Sequence, residues 1–179
     1  MTNSLKTFIA GTKAAWGPLS SELVEACSRQ LQSLLKAPAS EGWLSSLHKA
    51  MPANEELYRD PSQGFMLLAH AEHTGLYRPP HDHGRGWVIY AVQDGDIEMG
   101  SYARIENANG EVRLVKRDST LVRAGQVKVY LPGDIHDTRC MSSAALLFRF
   151  TDRDLRIEAK EGRLTRYVEL DDAWTVGPK

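Results

Sequence analysis

The 179-residue chain is long enough for one domain with a sizeable core and short for two. Its 22 basic and 23 acidic side chains nearly cancel, which argues against a polyanion-binding surface and so against nucleic acid as a partner. Two cysteines, Cys27 and Cys140, are too few for a disulfide scaffold and sit in no metal-binding spacing, as expected of a reducing, cytoplasmic setting. No apolar run reaches the ~18 residues of a membrane span, and the first thirty residues carry no leader pattern.

In chain order, residues 4 to 15 hold Leu5, Phe8, Ile9 and Ala15 at helical spacing, and Gly17-Pro18 ends the segment. From Ser20 a Ser-Ser-Glu start supplies a cap and an early acid. Leu23, Cys27, Leu31, Leu34 and Leu35 then form one apolar stripe, which Pro38 stops. Ser40 to Met51 places Trp43, Leu44, Leu47 and Met51 on one helical face before Pro52. After Asp60-Pro61 the pattern changes to short strands: 64–71, 87–92, 96–105, 111–115, 120–122, 126–131, 144–150 and 164–170. Gln93-Asp94-Gly95 and Asn107 to Gly110 read as hairpin loops, and Arg123-Ala124-Gly125 as a tight reversal. The tail from Ala173 reads as loose. This pattern predicts a mainly β chain, a jelly-roll barrel with N-terminal α-helices. It divides as a helical segment 1–56 and a barrel 57–172 in a single domain 1–179.

The chemistry concentrates in Pro79-Pro80-His81-Asp82-His83 and in Leu131-Pro132-Gly133-Asp134-Ile135-His136. On an extended strand His81 and His83 share a face while Asp82 points away, so both can reach one ion. His136 follows a Pro-Gly turn, and a neighbouring strand would bring it to the same ion. Three imidazoles suit a divalent transition metal and leave coordination positions open, as catalytic sites do. The competing reading of the pair is two polar surface residues on an edge strand. The stiff Pro79-Pro80 approach and the apolar Trp87-Val88-Ile89 that follows argue against it.

These residues, with Gly95 twelve positions after His83 and Gly125 before the second motif, resemble the two motifs of the cupins. Where many cupins place a glutamate ligand, this chain has Gly86-Trp87-Val88. It is most similar to the three-histidine thiol dioxygenases of the cysteine dioxygenase type, a likeness that Tyr58-Arg59 and Gly64 to Leu68 extend over residues 57–152. The resemblance implies a cupin double-stranded β-helix with Fe(II) on His81, His83 and His136, nickel or zinc being alternatives as purified. It also implies Arg59 as the catalytic anchor of the substrate carboxylate, and oxidation of a small thiol, such as cysteine or 3-mercaptopropionate, to a sulfinate by dioxygen. Two residues depart from that pattern. The cysteine that vertebrate members cross-link to a tyrosine is replaced by Val88, and the strand where that tyrosine falls offers Phe148, Arg149 and Phe150, with no phenol. Rival functions are a metal-dependent isomerase or lyase of a small acid, and a ligand-binding barrel without catalysis. A homodimer is the base-rate expectation for assembly.

Other residues read as scaffold: His70 on an apolar strand, His73 in a turn, Cys140 as a buried thiol, and Trp87, Tyr90 and Tyr102 as barrel aromatics before pocket lining. Asp134 and Asp137 flank His136 and are candidates to orient an imidazole.

Overall fold

The computed structural model describes residues 3–177. Three helices come first: α1 (Ser4–Ala15), α2 (Ser21–Leu34) and α3 (Gly42–Ala50). Side chains cap the first two, since Asn3 accepts from the Lys6 amide and Ser20 from the Leu23 amide, satisfying donors that have no partner within a helix. Glu41 ties α3 to α1 by accepting from the Ser4 amide and hydroxyl. Met51 ends α3 in the left-handed region at φ 41°, immediately before Pro52.

The strands are β1 (Glu55–Arg59), β2 (Met66–His73), β3 (Tyr77–His81), β4 (Val88–Asp94), β5 (Asp96–Glu106), β6 (Val112–Arg123), β7 (Val127–Tyr130), β8 (Ile135–Cys140) and β9 (Ala144–Thr151). After the short helix α4 (Leu155–Lys160) come β10 (Tyr167–Leu170) and β11 (Ala173–Val176). One sheet runs β1-β2-β9-β4-β7 and the other β3-β8-β5-β6, with every pairing antiparallel. From β2 to β9 the chain passes between the two sheets at every connection except the β5–β6 hairpin. That path is the expected jelly roll, a double-stranded β-helix, and the protein is mainly β, with helices in front. Among the described residues no helix is long and apolar enough to cross a membrane.

Strand alternation divides the five-stranded sheet into two faces. Leu67, Ala69, Ile89, Ala91, Phe148 and Phe150 turn outward and pack beneath α1 to α3 in one apolar cluster with Leu31, Leu34 and Leu44. Trp87 belongs to this layer and lies near Trp16 and Phe150, so it is core. Phe148 and Phe150 are fully buried, each worth roughly 1.5–3 kcal/mol by burial alone. The opposite face, with Val88, Tyr90, Val92 and Leu147, meets Ile97 and Met99 of the second sheet inside the barrel. Outside the second sheet, Tyr102 and Ile135 pack with Tyr167 and Trp174 of the β10–β11 pair.

The structure corrects several local expectations. The two strands expected at 111–115 and 120–122 are one, β6, which starts at Val112, because the polar run Lys116-Arg117-Asp118 faces solvent on an edge strand and hides the alternation. Gln93-Asp94-Gly95 is no hairpin loop, since β4 and β5 lie in different sheets. The segment from Ala173 is paired rather than loose, with Ala173 opposite Leu170; Pro178 and Lys179 lie outside the described residues. His73 ends β2 instead of lying in a turn.

Candidate metal centre

β3 ends at one mouth of the barrel and β8 begins there, so their antiparallel register sets His81 directly opposite His136. His83 reaches the same place by a different route from that expected. It lies beyond the strand, in a turn where Gly86 donates its amide to the His83 carbonyl at 3.0 Å. The two histidines of the first motif therefore do not share a strand face. Asp82 points away, as expected, and its carboxylate clamps the turn by accepting from the amides of Gly84 and Thr165, each at 2.9 Å. Gly84 has φ +62°, and a Cβ there would lie 2.7 Å from Glu158 Oε2. Both the conformation and the space demand glycine.

The structure brings the three histidines together. One ring nitrogen from each lies within 4.8 Å of the others, and the ring centroids are 4.6 to 5.2 Å apart. His83 and His136 are buried, with Nε2 atoms 3.4 Å apart. Two nitrogens about 2.05 Å from a common ion stand about 3.3 Å apart around a tetrahedral centre and about 2.9 Å apart around an octahedral one. Nδ1 of His81 lies 2.8 Å from the Pro79 carbonyl, which can only accept. The proton therefore sits on Nδ1, leaving a lone pair on Nε2, which is how ligand histidines are usually oriented. The donor set fits a metal ion on both counts. Burial lowers the basicity of all three rings, holding His83 down to about 3 and pushing His81 and His136 down as well. The lone pairs thus stay free of protons at neutral pH.

His81 and His83 line a cavity of about 570 Å³, with His136 fully buried behind them; residues of α4 and β10 complete its wall, and its size is within the range of small-molecule sites. A more open hollow of about 660 Å³ lies outside the second sheet, along Tyr102, Arg117 and Tyr167. It includes none of the three histidines, and its Asp82 and Asp134 are occupied in turns.

Arg59 is not brought to the cavity. It lies on the edge strand β1, and its guanidinium is taken by Glu56 at 2.8 Å and Asp154 at 3.0 Å. Four arginines do line the cavity, Arg78, Arg149, Arg156 and Arg166, and among them Arg149 stands on the central strand β9. With Phe148 and Phe150 turned outward to the helices, alternation turns Arg149 inward. That step was open to sequence reasoning once the aromatics were assigned to the helix-covered face. A phenol is present too: Tyr90 on β4 is the register partner of Arg149 and lines the cavity. His70, read from sequence as scaffold, lies in the same wall. Cys140 is a buried thiol of the barrel core and does not join the cluster.

Asp137, beside His136, faces the other side of β8. Its carboxyl accepts from Tyr77 at 2.9 Å, Tyr102 at 2.5 Å and the Gly100 amide at 2.8 Å. Burial, with this carboxyl added, raises the pKa of both phenols. Asp137 thereby pins β8 to β3 and β5, and it sets His136 through the strand rather than through its ring. Asp134 is spent on its own turn, accepting from the Leu131 amide at 2.7 Å.

No family model matches the chain, and no curated protein matches it. The solved structures it resembles include a cupin domain, a double-stranded β-helix protein and an oxalate oxidase. The cupin domain of Schizosaccharomyces pombe Cnp3 is 13% identical with a TM-score of 0.45, over 61% of this chain and 69% of that one. A double-stranded β-helix protein of Klebsiella pneumoniae is 16% identical with a TM-score of 0.43, over 56% and 70%. Recombinant oxalate oxidase in complex with glycolate is 19% identical with a TM-score of 0.43, over 56% and 51%. All three TM-scores are below 0.5, and the fold rests on the strand order itself.

Proposed function

We propose that this protein is a mononuclear metal-dependent dioxygenase that oxidises the sulfur of a small thiol acid, with Fe(II) held by His81, His83 and His136. The observation that carries this reading is a cluster of three imidazoles, free of carboxylate and thiolate, two of which, His81 and His83, line a small-molecule cavity. Such a shell is uncharged and leaves the full charge of the ion to attract a thiolate, a soft anionic donor. When bound, the metal supplies Lewis acidity and electron exchange with dioxygen. The net reaction places both atoms of dioxygen on the sulfur, taking a thiolate to a sulfinate, with sulfur oxidised and oxygen reduced.

The protein's own groups hold the substrate. The guanidinium of Arg149 offers a charged fork to a carboxylate, and Tyr90 opposite it offers a phenol donor. The apolar wall, with Met99 and Leu147, excludes water from the reacting sulfur.

A second reading, a Lewis-acid isomerase or lyase of a small acid, is favoured by His70, a further imidazole in the wall that burial keeps uncharged, with its pKa lowered to about 4. Metal analysis of anaerobically purified protein, followed by oxygen uptake across a thiol panel, separates the two. About one iron per chain and thiol-dependent uptake support dioxygenation. Turnover without oxygen supports the second reading, and a chain that holds no metal in any preparation removes both.

A further inference from the structure

Besides Nδ1 of the metal-cluster ring His83, two polar atoms of the cavity-lining residues are buried with nothing to bond: Nε2 of His70 and Nε of Arg149. His70 is only 8% exposed, and its Nδ1 lies 3.1 Å from the Ala53 carbonyl. A carbonyl can only accept, so Nδ1 carries the proton and Nε2 presents a lone pair. The wall thus holds an acceptor, His70 Nε2, and one N–H of the charged Arg149 guanidinium, each without a partner, an arrangement that native interiors avoid unless something fills it.

The two groups share one face of neighbouring strands. Leu68 of β2 faces Arg149 of β9, and His70, two residues along, faces Leu147. They are diagonal neighbours, close enough for one small molecule to meet both. Among the described residues lining the cavity the one carboxylate is Glu72, and it pairs with Arg78 instead.

We propose that Arg149 and His70 form a recognition subsite for a small α-hydroxy or α-amino carboxylate, whose carboxylate meets the Arg149 guanidinium while the adjacent O–H or N–H donates to Nε2 of His70. This rests on reading the cavity as the substrate site, and it narrows the substrate to acids with a donor beside the carboxylate. A plain carboxylate would satisfy Arg149 and leave His70 bare. An uncharged hydroxyl suits a wall that already holds Arg149 better than a second cation does, so the hydroxy acid binds more tightly than the amino acid.

The test is calorimetric titration with propionate, L-lactate and L-alanine, on the protein as purified and again after chelation, so that chelation of a metal by lactate is not mistaken for the subsite. Metal content, measured separately, reports on the proposed function by itself. Lactate should bind about tenfold more tightly than propionate, the worth of one added hydrogen bond to a buried acceptor. His70→Leu should erase that preference and leave propionate unchanged, while His70→Gln, which keeps an acceptor, restores part of it. Arg149→Gln should weaken both acids by tenfold or more. If alanine binds more tightly than lactate, the ranking of hydroxy acid over amino acid is overturned, and the subsite recognises an ammonium donor instead. Equal binding of all three acids overturns the proposal. So does a lactate preference that survives in His70→Leu with a wild-type melt, or the absence of saturable binding in folded wild-type protein, which would leave water as the occupant.

Discussion

His81 and His136 face each other as register partners across β3 and β8, although 55 positions separate them in the chain. Their ring centroids lie 4.6 Å apart. Because the sheet itself sets this pair, removing one ring should remove the site without disturbing the strands. His136→Ala is expected to lower metal affinity by more than about a hundredfold, since even partners that only orient a ligand cost ~10–100-fold when lost. Metal analysis after dialysis against a weak chelator checks this, with the far-ultraviolet circular dichroism unchanged. Full metal occupancy in that variant would take His136 out of the coordination set.

Gly100 should be nearly irreplaceable for a reason outside the site. A Cβ there would lie 2.5 Å from Asp137 Oδ1 and 2.9 Å from Lys116 Cε. Gly100→Ala must therefore expel the Asp137 carboxyl from its bonds to Tyr77, Tyr102 and the residue 100 amide. Overpacking together with unpaired buried polar groups predicts a loss of about 2–4 kcal/mol. Urea denaturation measures it, and an unchanged midpoint would show that Asp137 is not what holds β8 in place.

The first three helices, most of the strands and the three clustered histidines were legible in the sequence because each leaves a local mark: the Leu23 to Leu35 stripe, the capping Ser20, the strand alternation, and two motifs, one behind Pro79-Pro80 and one behind the Pro132-Gly133 turn; α4, β1, β3, β8 and β11 were not. What escaped was set between distant segments. Arg59 looks like a carboxylate anchor by its place in the chain, but Asp154, 95 positions later, pairs with it from the cap of α4. Arg149 could face either way until the helix-covered side of its own sheet was known. His70 sits in a run as apolar as any core strand, and only the folding of β2 against β9 reveals that its far nitrogen has no partner.

The turn that carries His83 depends on a buried acid from the C-terminal segment. Glu158 is 2% exposed. It accepts from the Arg85 amide at 3.0 Å, and from Arg163 through both carboxylate oxygens at 2.8 Å. Those guanidinium bonds hold its carboxyl down to about 2. Glu158→Gln keeps the shape but gives up the charge, weakening these bonds by roughly half. The expected result is faster amide exchange at Gly84 and Arg85 and weaker metal retention, with the barrel core exchanging as before. Uniform exchange across the molecule in that variant would mean Glu158 stabilises the whole fold and not the turn.

Stability should fall on mild acidification of the metal-free protein, before carboxylates titrate. Burial holds His83 down to about 3 and His70 down to about 4, and lowers His81 and His136 as well. In the unfolded chain each titrates near 6.5. Above about pH 7.5 both states are neutral at these rings and pH has no leverage through them. Below about pH 6.5 the unfolded chain takes up protons that the folded state refuses, so stability drops by up to ~1.4 kcal/mol per pH unit for each ring. The window runs from about 6.5 down toward 4, where the carboxylates of Asp154 and Glu158, held below their ordinary values by arginine partners, begin a separate loss. Urea midpoints in a chelating buffer at pH 7.5, 6.0 and 5.0 measure the slope, and His70→Leu should flatten it by about one proton. Equal stability at pH 7.5 and 5.0 would mean that the rings gain protons inside the fold as readily as outside it. The cavity would then be wet enough for protons to compete with a metal at neutral pH.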